Sequence, residues 1–344
     1  MVKFSYIILE IGKKINGKTI VITGGTGSLG QALTKRLLKT EVKTIRIFSR
    51  NENKQITMAE NIEDKDGRLR FFIGDVRDDH RLKHALEGAD IVFHAAALKH
   101  VPVIEYNPFE GIKTNVIGSQ NVIDACLHQD VQIAVGIGTD KAVSPLNTYG
   151  ATKLLMEKLF VTANNYLNPK KHKTKFLALR YGNVLGSSGS VIPRFINMIK
   201  QNKKITITDP NMTRFSLTMD QALDFILDST FSGKGSEIFV PKLKAYTIKD
   251  LKDALFELLK DTGYKKIPVR QGEKFHETLI NYDEMRNTWE NKSKYIILNP
   301  LSANFDKVKS SYTKIDFQTP YSSETVKKMS IKELKASITN SNLL

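Results

Sequence analysis

Three closely spaced glycines between a short apolar segment and a helical pattern constrain this chain more than any other feature. Thr19–Thr23 is rich in β-branched residues, as buried strands are. It runs directly into Gly24, Gly27 and Gly30, and the apolar spacing that follows predicts a helix. Glycines in this order permit a tight turn, a close approach of the backbone to a pyrophosphate and a helix N-terminus that faces the anion. We therefore prefer a dinucleotide-binding loop to an ordinary β-to-α turn, with contacts from Gly24, Thr26, Gly27, Ser28, Leu29 and Gly30.

The end of the second predicted strand, 44–48, indicates which dinucleotide binds. In an NAD-binding fold an acidic residue about twenty positions after the glycines binds the ribose diol. Here Ser49 and Arg50 occupy that place, with Lys54 shortly after. A guanidinium can bind the 2′-phosphate of NADP through two hydrogen bonds, so we expect NADP in preference to NAD.

Two later strand ends add candidate cofactor contacts. Asp75 and Val76 follow the third predicted strand, where the carboxylate could bind an adenine amino group or cap a helix. The fourth strand ends in Ala95, Ala96 and Ala97, whose small side chains leave room for a flat cofactor. Beyond them, at the sheet edge where ligands of open α/β folds bind, come Lys99 and His100, although His100 could equally be a polar loop residue.

Strands and helices alternate as far as the sixth predicted strand, 175–180, and the pattern then loosens. This alternation predicts an α/β fold, a Rossmann-type doubly wound parallel sheet with a smaller, discontinuous carboxyl-terminal substrate domain. The predicted division is an N-terminal extension at 1–16, an NADP-binding domain at 17–182 plus about 215–241, a substrate-binding domain at about 183–214 plus 242–300, and an extended tail at 301–344.

Tyr149 and Lys153 lie four residues apart in a predicted helix, so their side chains share one face. The charge of Lys153 favours the phenolate and is expected to lower the pKa of Tyr149 from about 10 toward neutrality, as a general base requires. Thr139 precedes this helix and can hydrogen-bond the same hydroxyl. Because this spacing also arises by chance on solvated helices, its weight depends on the glycine loop upstream.

Composition limits the classes of partner. The 344 residues carry a formal net charge of +16, but the basic residues are dispersed and no nucleic-acid motif accompanies them, so we expect no nucleic-acid partner. Cys126 is the single cysteine and no Cys/His cluster has metal-ligand spacing, which favours a reducing cytoplasm and no metal. The apolar run in 1–10 is too short to span a membrane.

Eight motifs together identify a family resemblance: TGGTGSLG (23–30), GDVRD (74–78), HAAALKHVP (94–102), TDKA (139–142), YGATK (149–153), RYGNV (180–184), DPNMTRF (209–215) and GEKFHE (272–277). They resemble the extended short-chain dehydrogenase/reductase superfamily and, within it, the inverting UDP-N-acetylglucosamine 4,6-dehydratases of surface-glycan synthesis. The Thr-Asp-Lys triplet narrows the resemblance, since retaining 4,6-dehydratases carry Asp-Glu there and 4-epimerases lack the acid/base pair. Part of this subfamily has Met in place of the tyrosine, so Tyr149 is less indispensable here than in the superfamily.

The resemblance implies a mechanism. Tyr149, with Lys153 and Thr139, takes the C4 hydroxyl proton while hydride passes to NADP. Lys141 then removes the C5 proton and Asp140 protonates the departing 6-hydroxyl, for which both need shifted pKa values. Hydride returns to C6, and C5 is reprotonated from the opposite face, which gives a UDP-linked 4-keto-6-deoxy sugar with inverted C5.

The same resemblance assigns binding of the nucleotide sugar. Asn183 and Arg214 would hold the diphosphate, Lys99 would lie near the sugar or its phosphates, and Arg270 or Glu273 would face the ribose. Relatives commonly form hexamers, so a homo-oligomer is expected. Two alternatives stay open: a UDP-sugar 4-epimerase or retaining dehydratase on the same scaffold, and a non-catalytic NADP-binding regulator.

Overall fold

The computed structural model describes residues 11–168, 171–187, 189–270 and 272–344. Its strands are β1 (Thr19–Thr23), β2 (Thr44–Ser49), β3 (Leu69–Ile73), β4 (Ile91–His94), β5 (Ile133–Ile137), β6 (Lys175–Leu179), β7 (Asn183–Val184), β8 (Ile205–Ile207), β9 (Thr213–Leu217), β10 (Glu237–Pro241), β11 (Ala245–Thr247), β12 (Tyr264–Lys266), β13 (Thr278–Ile280), β14 (Thr288–Glu290), β15 (Lys294–Leu298), β16 (Thr313–Lys314) and β17 (Tyr321–Ser322).

The helices that follow β1 are α1 (Ser28–Leu37), α2 (Glu52–Asn61), α3 (Asp79–Leu86), α4 (Val101–Tyr106), α5 (Pro108–Ile112), α6 (Gly118–His128), α7 (Thr148–Ala163), α8 (Val191–Lys200), α9 (Met219–Ser232), α10 (Ile248–Leu258), α11 (Tyr282–Met285), α12 (Phe305–Lys309) and α13 (Ile331–Asn340). Residues 11–15 are also helical, and the rest of the predicted N-terminal extension, 1–10, lies outside the described residues. Within the described parts of the chain, no helix is both long and apolar enough to cross a bilayer.

A ten-stranded sheet forms the centre of the molecule, in the order β16-β14-β15-β10-β6-β5-β4-β1-β2-β3. The seven strands from β3 to β10 pair in parallel, and β15, β14 and β16 continue the sheet in antiparallel pairs. The strand order reverses beside β1, which creates a crevice at the carboxyl ends of β1 and β4. The predicted α/β fold with a Rossmann-type sheet is therefore confirmed.

Apolar residues cover both faces of this sheet, as parallel sheets require. Along β1, Val21 packs with α3, α6 and α7, whereas Ile20 and Ile22 pack with α1, α2 and α9 on the opposite face. A third apolar cluster joins α8, α10 and α13 around β8. The sheet is thus a two-sided core, and a smaller cluster lies beyond its carboxyl edge.

Arg180, directly after β6, is fully buried and contacts three elements. Its guanidinium lies 2.7 Å from Glu157 of α7 and 2.9 Å from Glu284 of α11, and it donates a 2.9 Å hydrogen bond to the carbonyl of Leu279. The polar groups of a buried cation are thereby satisfied, which is the condition for burying it. Arg180 therefore fixes α7 relative to the segment that contains β13 and α11.

The sequence pattern predicts one helix over 109–128, and the structure divides it. A π-helical turn, Lys113–Ile117, separates α5 from α6. Within it, the buried Asn115 side chain accepts from the backbone N–H of Leu98 (2.8 Å) and donates to the carbonyl of Leu98 (2.9 Å). The irregular turn thus fixes the loop after β4, at the edge of the crevice.

The expected extended tail at 301–344 is wrong. That segment contains α12, α13, β16 and β17, with Leu334 and Ile338 fully buried against α10. β14 and β15 differ from the expected division too, because they join the central sheet instead of the substrate-binding part. Few apolar residues suffice in the tail because α10 and β13 supply the surfaces that they cover, and this partnership is not visible locally in the sequence.

A buried histidine makes the stability of this fold depend on pH. His94, at the end of β4, is hydrogen-bonded to Thr23 (2.8 Å) and Ser119 (2.9 Å), and burial, with some help from Lys153, lowers its pKa to about 3. The unfolded chain binds a proton near pH 6.5 and the folded chain does not, so stability is lost as pH falls below that value. We expect the free energy of unfolding to fall between pH 7 and pH 5 by about 2 kcal/mol more in the native sequence than in His94→Asn.

Denaturant unfolding at the two pH values measures this difference. His80 is exposed, so His80→Asn is the matched control and should retain the native loss. An equal loss in His94→Asn and the native protein would contradict the assignment of this pH dependence to His94.

Candidate active site

A cavity of about 620 Å³ lies over the carboxyl ends of β1, β2, β4 and β5. It brings together most of the predicted cofactor contacts: Gly24, Thr26, Gly27, Ser28, Leu29, Gly30, Ser49, Arg50, Lys54, Val76, Ala95, Ala96, Ala97, Tyr149 and Lys153. Lys99 and His100 also line it. The topology therefore gathers groups that are up to 195 positions apart, from Gly24 to Met219, around one space.

The glycine loop has the close packing that its sequence predicts. Gly24 adopts φ +68°, and a Cβ there would lie 2.7 Å from the backbone of Ala96. A Cβ at Gly30 would lie 2.4 Å from the carbonyl oxygen of Gly25. Gly27 precedes α1 and has no side chain to cap the helix. The first turn of α1 lines the cavity.

Asp75 is the exception among the predicted cofactor residues. Asp75 is not among the described residues that line the cavity. Its carboxylate accepts hydrogen bonds from Arg77 at 2.8 and 3.0 Å and lies 3.7 Å from Arg50. Although partial burial would raise its pKa, the bonds and charge of Arg77 lower the pKa of Asp75 below its ordinary value. The structure therefore places Asp75 beside Arg50, where it influences the position of that guanidinium.

Tyr149 and Lys153 lie on α7 as expected, but the expected direction of the tyrosine pKa is wrong. Burial raises the pKa of Tyr149 above its ordinary value, and the cation that opposes burial most is Lys141. A hydrogen bond with Thr139 also opposes it. Lys153 instead donates to the carbonyl of Ile137 at 2.5 Å, and burial, partly offset by Glu157, lowers its own pKa to about 8.

Asp140 and Lys141 form an ion pair in the site. Asp140 is fully buried, and one of its carboxylate oxygens accepts from Lys141 Nζ (3.0 Å) and from the hydroxyl of Thr139 (2.9 Å). Lys141 Nζ also lies 3.4 Å from Asn183 Oδ1 and 3.7 Å from a carboxylate oxygen of Glu277. Burial lowers the pKa of Lys141, but Asp140 and Glu277 outweigh burial and hold it above its ordinary value.

A second cavity, of about 290 Å³, adjoins the first. Lys141 and Asn183 line both cavities. Arg214, Arg270 and Glu273 line the second, and a terminal nitrogen of Arg214 lies 3.3 Å from Glu273. The predicted binding residues therefore divide: Lys99 and His100 face the cavity beside the glycine loop, whereas these three face its neighbour.

Sequence reasoning missed several residues of the second cavity. Glu277, Tyr246 and Lys274 all line it. Asn147 lines it too, and its amide caps α7 at Gly150 (2.8 Å) while donating to the carbonyl of Gly272 (2.9 Å). Glu277 belongs to a motif that the sequence reasoning had singled out, and a charged residue next to a predicted binding loop was the available signal.

The site has no cluster of metal ligands in the part of the chain that the structure describes. What the described groups can do is acid/base chemistry. The phenol of Tyr149 and the ammonium groups of Lys141 and Lys153 line the first cavity, and two buried carboxylates, Asp140 and Glu277, lie beside Lys141. Such a concentration of buried ionisable groups is typical of a catalytic site.

Comparisons with known proteins agree with this geometry. A family model described as polysaccharide biosynthesis protein matches residues 20–299. The UDP-N-acetylglucosamine 4,6-dehydratase (inverting) of Campylobacter jejuni is 48% identical over 284 residues, which cover 82% of this chain and 83% of that protein. The UDP-glucose 4-epimerase of Rickettsia prowazekii is 41% identical over 325 residues, which cover 92% of this chain and 94% of that protein.

A solved structure resembles nearly the whole chain. Pen from Bacillus thuringiensis superposes with a TM-score of 0.89 at 37% identity, covering 96% of this chain and 99% of that one. The similarity therefore extends through the carboxyl-terminal segment that the sequence had predicted to be an extended tail.

The contact between Gly24 and Ala96 can be tested by adding one methyl group. Gly24→Ala would strain the backbone and also drive a Cβ into Ala96, whereas Gly88 has a similar φ of +63° with nothing within 4 Å of the added Cβ. We expect Gly88→Ala to cost about 1 kcal/mol of unfolding free energy. Gly24→Ala should cost roughly 1–3 kcal/mol more, because the atoms it meets are backbone atoms.

Urea unfolding of the two variants measures the difference. Equal losses would mean that the loop and the end of β4 are less closely packed than the structure indicates.

Proposed function

The chain belongs to the polysaccharide biosynthesis protein family, as its short-chain dehydrogenase/reductase motifs indicated, and on that premise we propose that it is an inverting UDP-N-acetylglucosamine 4,6-dehydratase. It would convert this substrate, with epimerisation at C5, to UDP-2-acetamido-2,6-dideoxy-L-arabino-hexos-4-ulose for a surface glycan. The observation that carries the proposal is the Asp140–Lys141 pair, 3.0 Å apart: Lys141 lines both cavities, and Asp140 is a fully buried carboxylate beside it that is not among the residues lining either cavity. Removal of the C5 proton and protonation of the 6-hydroxyl need this second acid/base pair beside Tyr149.

The first cavity suits a nicotinamide dinucleotide, and we propose NADP. Gly24 packs closely against the backbone of Ala96, which holds the glycine loop at the edge of the cavity, and the first turn of α1, which lines the cavity, suits a pyrophosphate. Arg50 is half exposed at the end of β2 and can reach a 2′-phosphate. Held by the glycine loop and Arg50, a nicotinamide dinucleotide would supply reversible hydride transfer for the sugar, with no net change of its redox state.

The residues of α7 would control the proton of the C4 hydroxyl. Tyr149 accepts this proton, and the Lys141 cation and the Thr139 hydrogen bond are the groups that stabilise its phenolate against burial. Lys153, held by the carbonyl of Ile137, would bind a ribose hydroxyl and orient the ring of the cofactor. These roles separate oxidation at C4 from the later elimination.

Elimination would use the neighbouring pair. Once C4 is a ketone, the C5 proton is acidic, and Lys141 as an amine removes it. Asp140 as a carboxylic acid protonates the 6-hydroxyl, which leaves as water. Lys141 and Asp140 are joined by one 3.0 Å hydrogen bond. Because they are so close, the base can act at C5 and the acid at the neighbouring 6-hydroxyl of one sugar.

The second cavity would bind the nucleotide. Arg214 and Asn183 suit the diphosphate, and Arg270 with Glu273 suits the ribose. Lys99 and His100 lie beside the first cavity, toward the sugar. We accordingly propose that 17–182 with 215–241 bind the cofactor and that 183–214 with 242–287 bind the substrate, because β14 and β15 join the central sheet.

A UDP-sugar 4-epimerase is the second candidate, because the Rickettsia relatives carry that name at 41% identity. Epimerisation at C4 needs Tyr149 and a cofactor but no acid/base pair for C5 and C6. The buried Asp140 with its Lys141 partner would then have no chemical role, which is why we rank this candidate second.

We also propose self-association and a cytoplasmic location. Val103, Tyr106, Phe109 and Leu155 are 49–87% exposed on neighbouring helices α4, α5 and α7 and form an apolar surface suited to a second copy. Light scattering after size-exclusion chromatography distinguishes an oligomer from a monomer. The free, buried Cys126 is compatible with a reducing compartment.

The reaction can be followed by proton NMR in D₂O with UDP-N-acetylglucosamine as the sole added substrate. We expect a new C6 methyl signal, deuterium at C5 and the couplings of an inverted ring. Asp140→Asn should slow methyl formation about 10²–10⁴-fold, since it removes the general acid. Asp306→Asn changes an 86% exposed carboxylate and is the matched control.

Other outcomes identify the alternatives. Inversion at C4 without a methyl signal would indicate the epimerase. Unchanged substrate despite demonstrated cofactor binding would contradict the proposed substrate and favour a non-catalytic protein.

Cofactor choice depends on Arg50. We expect Arg50→Ala to weaken NADP binding roughly 10–100-fold by removing a charged hydrogen-bond donor to the 2′-phosphate, and to leave NAD binding nearly unchanged. Fluorescence titration with both cofactors measures this, and Arg70→Ala, which alters an exposed arginine on β3, is the control. Equal affinity of the native protein for NAD and NADP would overturn the preference.

A further inference from the structure

Lys141 lies between two buried carboxylates, and only one of them belongs to the expected catalytic pair. Its Nζ donates to Asp140 Oδ1 at 3.0 Å and lies 3.7 Å from Glu277 Oε1. The contact with Asp140 is a hydrogen bond, whereas the contact with Glu277 is an ion pair that is too long for a hydrogen bond. Glu277 reaches this position from the residue before β13, whereas Asp140 follows β5.

Glu277 is placed there at a cost to stability. The residue is 3% exposed, and its second carboxylate oxygen, Oε2, is buried without a hydrogen-bond partner. Asp140 Oδ2 is unpartnered in the same way. An unsatisfied buried carboxylate oxygen destabilises a fold, so two of them beside one ammonium indicate a functional requirement.

The backbone around Glu277 is held firmly. Its N–H donates to the hydroxyl of Ser323 at 2.8 Å, and its carbonyl accepts from the N–H of Ser323 at 2.7 Å. The same hydroxyl lies 2.7 Å from the Thr213 hydroxyl. The carboxyl-terminal segment therefore fixes Glu277 relative to β9, next to Arg214.

The proposed chemistry raises a question of charge. The raised pKa of Lys141 and its contacts with two carboxylates favour the ammonium form, whereas removal of the C5 proton needs an amine. Transfer of one proton along the 3.0 Å hydrogen bond solves this: the Nζ–H bond breaks, its electron pair stays on nitrogen, and an O–H bond forms on Asp140. The amine base on Lys141 and the carboxylic acid on Asp140 then arise together. The total number of protons on Lys141, Asp140 and Glu277 does not change.

On the basis of the proposed function, we propose that Glu277 is a positioning residue that orients Lys141 and sets the pH range over which the Lys141–Asp140 pair holds the single proton it needs. Its negative charge attracts the ammonium and disfavours a second negative charge on Asp140. The pair therefore loses its shared proton only at higher pH. During the reaction, Lys141 takes the C5 proton and Asp140 releases its own proton to the leaving water, which restores the starting state of the pair.

The surroundings of Glu277 support this role. Burial raises the pKa of Glu277 above its ordinary value, although Lys141 opposes burial. The other charged or titratable groups that face the cluster are Asp140, Tyr149, Arg214, Tyr246 and Lys274. Arg214 Nε lies 3.9 Å away and Lys274 is partly buried, so neither replaces the closer contact with Lys141.

The test is the pH profile of kcat for formation of the C6 methyl product, measured on the full chain with UDP-N-acetylglucosamine and NADP. Because Glu277→Gln removes a negative charge, every protonation of the pair becomes less favourable. Both limbs of the profile should move to lower pH, on the order of 1–2 units. Glu277→Asp keeps the charge but withdraws it from Nζ, so its limbs should fall between those of Gln and the native residue.

Glu324→Gln is the control, because it makes the same chemical change on a side chain 65% exposed in a nearby segment, and it should keep the native profile. Limbs that stay in place in Glu277→Gln, or identical profiles for Gln and Asp, overturn the proposal. Should circular dichroism show that Glu277→Gln is unfolded, Glu277→Asp carries the test alone, and unmoved limbs overturn it.

The two proposals fail in different ways. A native protein that forms no methyl product overturns the dehydratase assignment itself. A native protein that forms it, with variants that keep its pH limbs, overturns only the role of Glu277.

Discussion

The burial of Arg180 is the constraint on which the rest of the site depends. Its guanidinium is inaccessible to solvent and contacts Glu157 of α7, Glu284 of α11 and the carbonyl of Leu279. Removing one partner of such a buried pair typically costs about 3–5 kcal/mol, because the other charge is left unpaired. The helix that carries Tyr149 and Lys153 is therefore tied to the segment that begins with Glu277. Arg180 thus holds Tyr149 and Lys153 on α7 at a fixed distance from Glu277, because its guanidinium binds both of the elements that carry them.

Burial and neighbouring charges shift the pKa values of this cluster in opposite directions, and which effect is larger differs from group to group. For Lys153 burial prevails, and its pKa falls to about 8. For Lys141, two carboxylates prevail over burial and its pKa rises. For Tyr149 burial again prevails, despite the nearby cation. The pKa values of the two lysines thus move in opposite directions because Asp140 and Glu277 act on Lys141 whereas Glu157 acts on Lys153, a property that residue type cannot reveal.

Local sequence was a good guide where a structural element depends on its own residues. The strand Thr19–Thr23 occurs with the predicted bounds, and the second strand, predicted at 44–48, occurs at Thr44–Ser49, because β-branched runs act over a few residues. The π-turn beside Asn115 and the ordered carboxyl-terminal segment were not predicted. Both depend on partners distant in the sequence, the loop at Leu98 in one case and α10 with β13 in the other.

The sequence by itself determined the parallel α/β sheet, the glycine loop and the candidate acid/base residues, because motif spacing fixes which residues reach a strand end or share a helix face. Only the tertiary structure decided which of those groups meet. It separated Asp75 from the cavity lining and brought Glu277, 136 residues along the chain, to Lys141 of the predicted Asp140–Lys141 pair. The physical reason is that contact and pKa depend on distance and burial, which arise when remote segments pack together.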